Sequence, residues 1–124
     1  MKKAFRTSKA PNPVGPYSQA VQHGQFLFLS GQVPLTADNV MSTGDISEQA
    51  RQVLNNLRAV LAEAGAVMDN VVKTTIYLAD LGDFDAVNKV YAEYFTEPYP
   101  ARSTVEVSKL PKGARLEIDF IAIV

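Results

Sequence analysis

The sequence predicts an α+β fold, a single sheet with two helices packed on one of its faces. Three observations lead there. Apolar residues recur at helical spacing in only two segments, about 46–64 and 83–95. Strand-like runs lie before, between and after them, near 17–30, 70–78 and 100–124. The chain has 124 residues, 47% of them hydrophobic, which suffices for one core and not for two, so residues 1–124 are read as one domain.

The elements follow in order. A short strand is placed at 3–7. Segments 17–22 and 25–30 flank His23-Gly24, a hairpin signal, and FLFLSG is apolar on both faces, so that strand is expected to be covered on both sides. A loop over 32–44 leads to Asp45, which with Glu48 has the form of a capping box. Ile46, Ala50, Val53, Leu54, Leu57, Leu61 and Ala64 then mark one helical face, and Gly65 supplies the stop. Residues 70–78 read as a strand with Val72, Thr74, Ile76 and Leu78 on one side. The second helix begins near Asp83, buries Phe84, Val87, Tyr91 and Tyr94, and is ended by Pro98 and Pro100. Two strands around Pro111-Lys112-Gly113 are expected to close the chain as a hairpin.

The last strand has two different faces. Leu116, Ile118, Phe120, Ala122 and Val124 suit burial under the helices, whereas the other face carries Arg115, Glu117, Asp119, Ile121 and Ile123. Tyr77 and Val71 are expected to extend that outer face. An apolar sheet face left uncovered on so small a protein predicts contact with another subunit. Carboxylates at the rim of such a contact are costly unless paired or useful.

Composition removes several chemistries. The net charge is −1, from 12 basic and 13 acidic residues, a poor footprint for nucleic acid. The basic cluster Lys2, Lys3, Arg6 and Lys9 is followed by no apolar run, and no segment reads as a membrane span; a cytoplasmic protein is expected. There is no cysteine, and the single histidine, His23, sits at a turn. Thiol chemistry, thiolate metal sites and a Ser-His-Asp triad therefore have no basis, and neither a metal nor a cofactor is expected.

The remaining candidates are carboxylates, Arg, hydroxyls and backbone groups. Arg102 has two readings: a planar fork that grips a carboxylate, or a salt bridge to Glu117 or Glu106. Glu117 either orients and deprotonates a water or forms an interface ion pair. Tyr17 offers a phenol to a ligand or caps the core, and Ser30-Gly31 is a small-anion site or a plain strand end. Asn88 is a weaker candidate on the second helix. Ser103 follows Arg102 but has no histidine to activate it. Asp119, Arg115 and Lys112 read as structural or solvated.

Taken together, GPYSQAV, LFLSGQVPL, GDISEQARQVLNNLRAVLAEAG, VVKTTIYLAD, NKVYAEYF and PARSTVEVSKLPKGARLEID resemble, in order and across essentially the whole chain, segments of the RidA/YjgF family of reactive-intermediate deaminases. The resemblance implies a chorismate-mutase-like fold assembled as a homotrimer, with ligand sites between subunits. It implies hydrolysis of 2-iminobutanoate or 2-iminopropanoate, released by pyridoxal-phosphate-dependent dehydratases, to 2-oxo acids and ammonia. By matching position, Arg102 would hold the substrate carboxylate and Glu117 the attacking water. Tyr17, Ser30, Gly31 and the backbone around Ser103 would line the pocket. A non-catalytic sensor of 2-oxo acids or amino-acid-like ligands is the rival reading, and nucleic-acid cleavage ranks last.

Overall fold

The computed structural model describes residues 1–124. The strands are β1 (Lys3–Phe5), β2 (Ala20–His23), β3 (Phe26–Gln32), β4 (Val71–Leu78), β5 (Ala101–Glu106) and β6 (Leu116–Ile123); the helices are α1 (Ile46–Glu63) and α2 (Phe84–Ala92). All six strands form one mixed sheet in the order β1-β2-β3-β6-β4-β5, in which only β4 and β5 run parallel. Neither helix is long and apolar enough to cross a membrane.

Local chemistry sets the ends of α1. The Asp45 side chain accepts the Glu48 N–H at 2.9 Å, half of the expected capping box. At the far end Gly65 adopts φ 76°, the left-handed region that glycine enters without a Cβ penalty. Ala66 N–H then reaches Leu61 O and Gly65 N–H reaches Ala62 O, the paired bonds of a Schellman stop. The buried face of α1 (Ala50, Val53, Leu54, Leu57, Val60, Leu61) packs in one core with Leu27 and Leu29 of β3, Ile76 and Leu78 of β4, and Leu116, Ile118, Phe120 and Ala122 of β6. From α2 that core receives Val87, Val90 and Tyr91; Phe84 and Tyr94 are only partly buried.

Several expectations change. The hairpin turn is Gly24-Gln25, because His23 still pairs with Phe26. A bulge between Val71 and Lys73 reverses the start of β4, so Val71 is buried and Val72 is 44% exposed. Phe26 and Phe28 are 51% and 45% exposed, so within one chain β3 is covered on one side only. Val124 lies beyond the end of β6 and is exposed.

The largest correction is that β5 and β6 form no hairpin. The α2 crossover returns the chain parallel to β4 at the sheet edge, and β6 inserts between β3 and β4. The connection bends round the end of β4, where Val107 N–H donates to Leu78 O and Ala79 N–H to Arg115 O. A strand as apolar as β6 is best served by a neighbour on each edge.

Candidate functional site

The central position of β6 places Glu117 on the open face of the sheet, half-buried at the floor of a cleft of about 370 Å³. Tyr17, Ser30, Gly31, Asn39 and Lys112 are among its walls. Opposite, β3 carries a bulge: Leu29 pairs with Phe120 and Gln32 with Ile118, so Ser30-Gly31 is the irregular step. There the Glu117 side chain lies directly on the Gly31 backbone. A Cβ at Gly31 would stand 2.2 Å from Glu117 Oε2, 2.8 Å from Cδ and 3.0 Å from Cγ.

Only glycine leaves room for that carboxylate. Gly31→Ala is expected to destabilise the protein by about 1–3 kcal/mol through overpacking. Thermal melts should show that cost vanish in a Glu117→Ala background, since the two groups collide with each other. Equal costs in both backgrounds would contradict the contact.

Burial, and after it the charge of Asp119, raises the Glu117 pKa above its ordinary value of 4.5. The two salt bridges of the chain, Arg51–Glu93 and Arg115–Asp83, leave Glu117 without a cationic partner. Ser30, expected to present its hydroxyl to a ligand, spends it on Ser18 O at 2.6 Å while its N–H reaches Gln19 O at 2.9 Å. Its side chain thus secures the loop bearing Tyr17, which is 52% exposed above the cleft. Buried Gln19 holds the same loop from behind, accepting from Thr7 N–H and donating to Thr7 O and Pro11 O.

Arg102 lies elsewhere. On β5 it pairs with Thr74, which is fully buried, so its side chain projects to the helix side of the sheet. Its guanidinium donates to Asn88 Oδ1 at 2.8 Å and lies over the rings of Tyr91 and Phe84, at 4.9 and 5.6 Å. Arg102, Asn88, Tyr91, Ala92 and Tyr99 enclose a second cleft of about 330 Å³. The Tyr91 pKa is raised by burial, against the opposing pull of its Thr74 hydrogen bond and the Arg102 charge. No carboxylate of the chain pairs with Arg102. Glu106, one expected partner, instead accepts the Leu81 N–H.

Asn88 therefore orients Arg102, with its oxygen already occupied. Ser103 faces the other way and is exposed on the open face. Its neighbour Thr104 shares the Arg102 side, with a buried hydroxyl that has no partner. Sequence reasoning passed over Thr104, although strand alternation from Arg102 pointed to it.

Within one chain, then, Tyr17, Ser30, Gly31 and Glu117 come together, Arg102 and Asn88 come together, and the two groups occupy separate clefts on opposite faces. The open face around Glu117 also carries exposed Phe26, Phe28 and Val105 and partly buried Ile121 and Ile123.

Comparison with known proteins agrees with this architecture. The family model described as endoribonuclease L-PSP matches residues 7–124. A 2-iminobutanoate/2-iminopropanoate deaminase of Dermatophagoides farinae is 47% identical over 124 residues, covering 99% of this chain and 97% of that protein. The Rid-family protein YyfA of Yersinia pestis superposes with a TM-score of 0.97 at 48% identity, over 100% of both chains. E. coli TdcF, solved with bound serine, superposes with a TM-score of 0.93 at 39% identity, over 98% of both. A sheet, two helices and a sequence that align with these relatives from end to end make the chain a member of the endoribonuclease L-PSP family, that is, the RidA/YjgF family.

Proposed function

We propose that the protein is an imine hydrolase, converting 2-iminobutanoate and 2-iminopropanoate to 2-oxo acids and ammonia at sites shared between subunits of a homotrimer. One observation carries this reading: Arg102 and Glu117 each face a cleft without a salt-bridge partner in their own chain, and lie on opposite faces of one sheet. A second copy, seated against the apolar open face, brings a guanidinium to a carboxylate that its own chain cannot reach. The deaminase named among the relatives and the serine bound to TdcF favour a small amino-acid-like guest.

The chemistry asks little of the protein. Arg102 has five N–H donors and Asn88 takes one, which leaves a fork for the substrate carboxylate. A protonated imine is already electrophilic at carbon. Glu117 of the neighbouring subunit removes a proton from water as the oxygen bonds to that carbon, giving a carbinolamine. Returning the proton to nitrogen lets the C–N bond break while Glu117 takes up the hydroxyl proton as the C=O forms, so ammonia leaves and the 2-oxo acid remains. Tyr17 and the bulge at Ser30-Gly31 close the cleft around the guest. Metal and cofactor have no assigned part, and the cytoplasmic location expected from the sequence belongs to the same reading.

The test couples the protein to a threonine dehydratase, with semicarbazide trapping the free imine. Faster release of 2-oxobutanoate is the expected result, and no acceleration would sink the proposal. Sharing between subunits has its own readout. Arg102→Ala and Glu117→Gln chains, each inactive alone, should recover about a quarter of wild-type activity when unfolded and reassembled in equal amounts, because three of four random trimers are mixed and each then holds one intact site. No recovery would place both groups in one subunit's site. The serine held by TdcF also favours a sensor of amino-acid-like ligands, and binding without turnover would select that reading.

A further inference from the structure

The open face holds, beside Glu117, polar residues that imine hydrolysis, as described, leaves unused: Tyr77, Thr75 and Asp119. Alternation along β6 sets Glu117 and Asp119 on the same face, about 6.8 Å apart along the strand. On β4, Tyr77 pairs with Glu117 and Thr75 with Asp119. The Tyr77 phenol does not bond its direct neighbour; it reaches diagonally and donates to Asp119 Oδ2 at 3.0 Å. Asp119 is thereby held in place, while Glu117 is left free to move its proton.

Tyr77 is suited to that task. Burial first, then the bond to Asp119 and the charges of Asp119 and Glu117, raise its pKa above the ordinary 10.0, so it remains a donor at any pH relevant to folding. Around Glu117 the other titratable groups are few. The walls of its cleft add Tyr17, from the loop before β2, and Lys112, from the turn before β6; β3 contributes only Ser30, Gly31 and Gln32. Farther along the same face Lys73 points its ammonium at Thr74 O and Thr75 Oγ1 rather than at a carboxylate.

We propose that Asp119, pinned by Tyr77, is a positioning residue for Glu117: its fixed negative charge on the same face sets the acidity at which Glu117 gives up its proton. The inference rests on reading Glu117 as the base of imine hydrolysis. Asp119 is not among the residues that line the Glu117 cleft. It acts by like-charge repulsion, which favours the protonated form of its neighbour, in the same direction as burial. A carboxylate so disposed holds a proton more firmly than an isolated one. That serves a group which must take a proton from water and return it to the departing nitrogen.

The experiment uses the full chain in its native assembly, with glutamate labelled with carbon-13 at Cδ. The Glu117 resonance is the one missing from Glu117→Gln. Its titration midpoint is expected to move to lower pH in Asp119→Asn and to return towards the wild-type position in Asp119→Glu, which restores the charge. In the dehydratase-coupled assay the acid limb of kcat should move in the same direction, with KM unchanged. Loss of packing that wetted Glu117 would lower its midpoint too, so the neutral variant that is read is the near-isosteric Asp119→Asn, and Asp119→Glu restores the charge without restoring the shape. Asparagine keeps an acceptor for Tyr77, and Asp119→Ser is the second neutral replacement if the first fails to assemble. A Glu117 midpoint that stays in place in the neutral variant overturns the proposal, whatever the activity. A moved midpoint in a protein that leaves imine hydrolysis unaccelerated supports the pairing and counts against the functional reading alone.

Discussion

Arg102→Ala will abolish the acceleration of imine hydrolysis while leaving the fold in place. The guanidinium is the one cation lining its cleft, and no carboxylate of its own chain depends on it. Two charge-assisted hydrogen bonds to a substrate carboxylate are worth about 1.5–3 kcal/mol each. Losing both lowers kcat/KM by roughly 10²–10⁴-fold. Arg102→Lys is the more telling variant. Lysine keeps the charge but not the planar fork, and it gives up the stacking on Tyr91 and Phe84 that holds the arginine flat. Its activity should fall between those of wild type and alanine, mostly through KM, as steady-state kinetics with generated imine would show. Full activity in Arg102→Ala would remove Arg102 from the site.

Glu117→Gln will act on kcat instead. Glutamine has the same shape and still fits over Gly31, so the guest binds, but no base receives the proton of the attacking water. The expected loss is about 10²–10⁴-fold in kcat, with KM nearly unchanged. The pH profile gives a second check, and its sign follows from the environment. Burial and Asp119 both favour the protonated acid, so its pKa lies above the ordinary 4.5. The base is lost as pH falls through that raised value, and the wild-type acid limb therefore lies at higher pH than an unperturbed glutamate would place it. The residual activity of the glutamine variant should show no such limb. An identical limb in both proteins would assign it to another group.

Much of the fold was legible locally. Asp45 and Gly65 bracket α1 as their chemistry requires, and the period-2 pattern of β6 placed Glu117 and Asp119 on the face away from the helices. The errors share a different origin. Pro111-Lys112-Gly113 does contain left-handed Lys112 and Gly113, a fair turn signal, yet the strands it joins are kept apart by β4. One extra residue in a bulge exchanged the sides of Val71 and Val72. Ser30 and Asn88 do line the two clefts, and what the sequence did not reveal is that one side chain is bonded to Ser18 and the other to Arg102. Such commitments depend on residues far away in sequence.

By itself the sequence determined the chemical inventory, the alternation of strands and helices, and the two charged groups proposed to share a site. These follow from side-chain chemistry and from repeats of 2 and 3.6 residues, which each segment carries within itself. Only the tertiary structure decided that β6 lies between β3 and β4, that Arg102 and Glu117 face opposite sides, and that Asp119 is tied to Tyr77. Strand order depends on hydrogen bonds and buried area gained between distant segments, and no local pattern encodes which partner a strand edge will find.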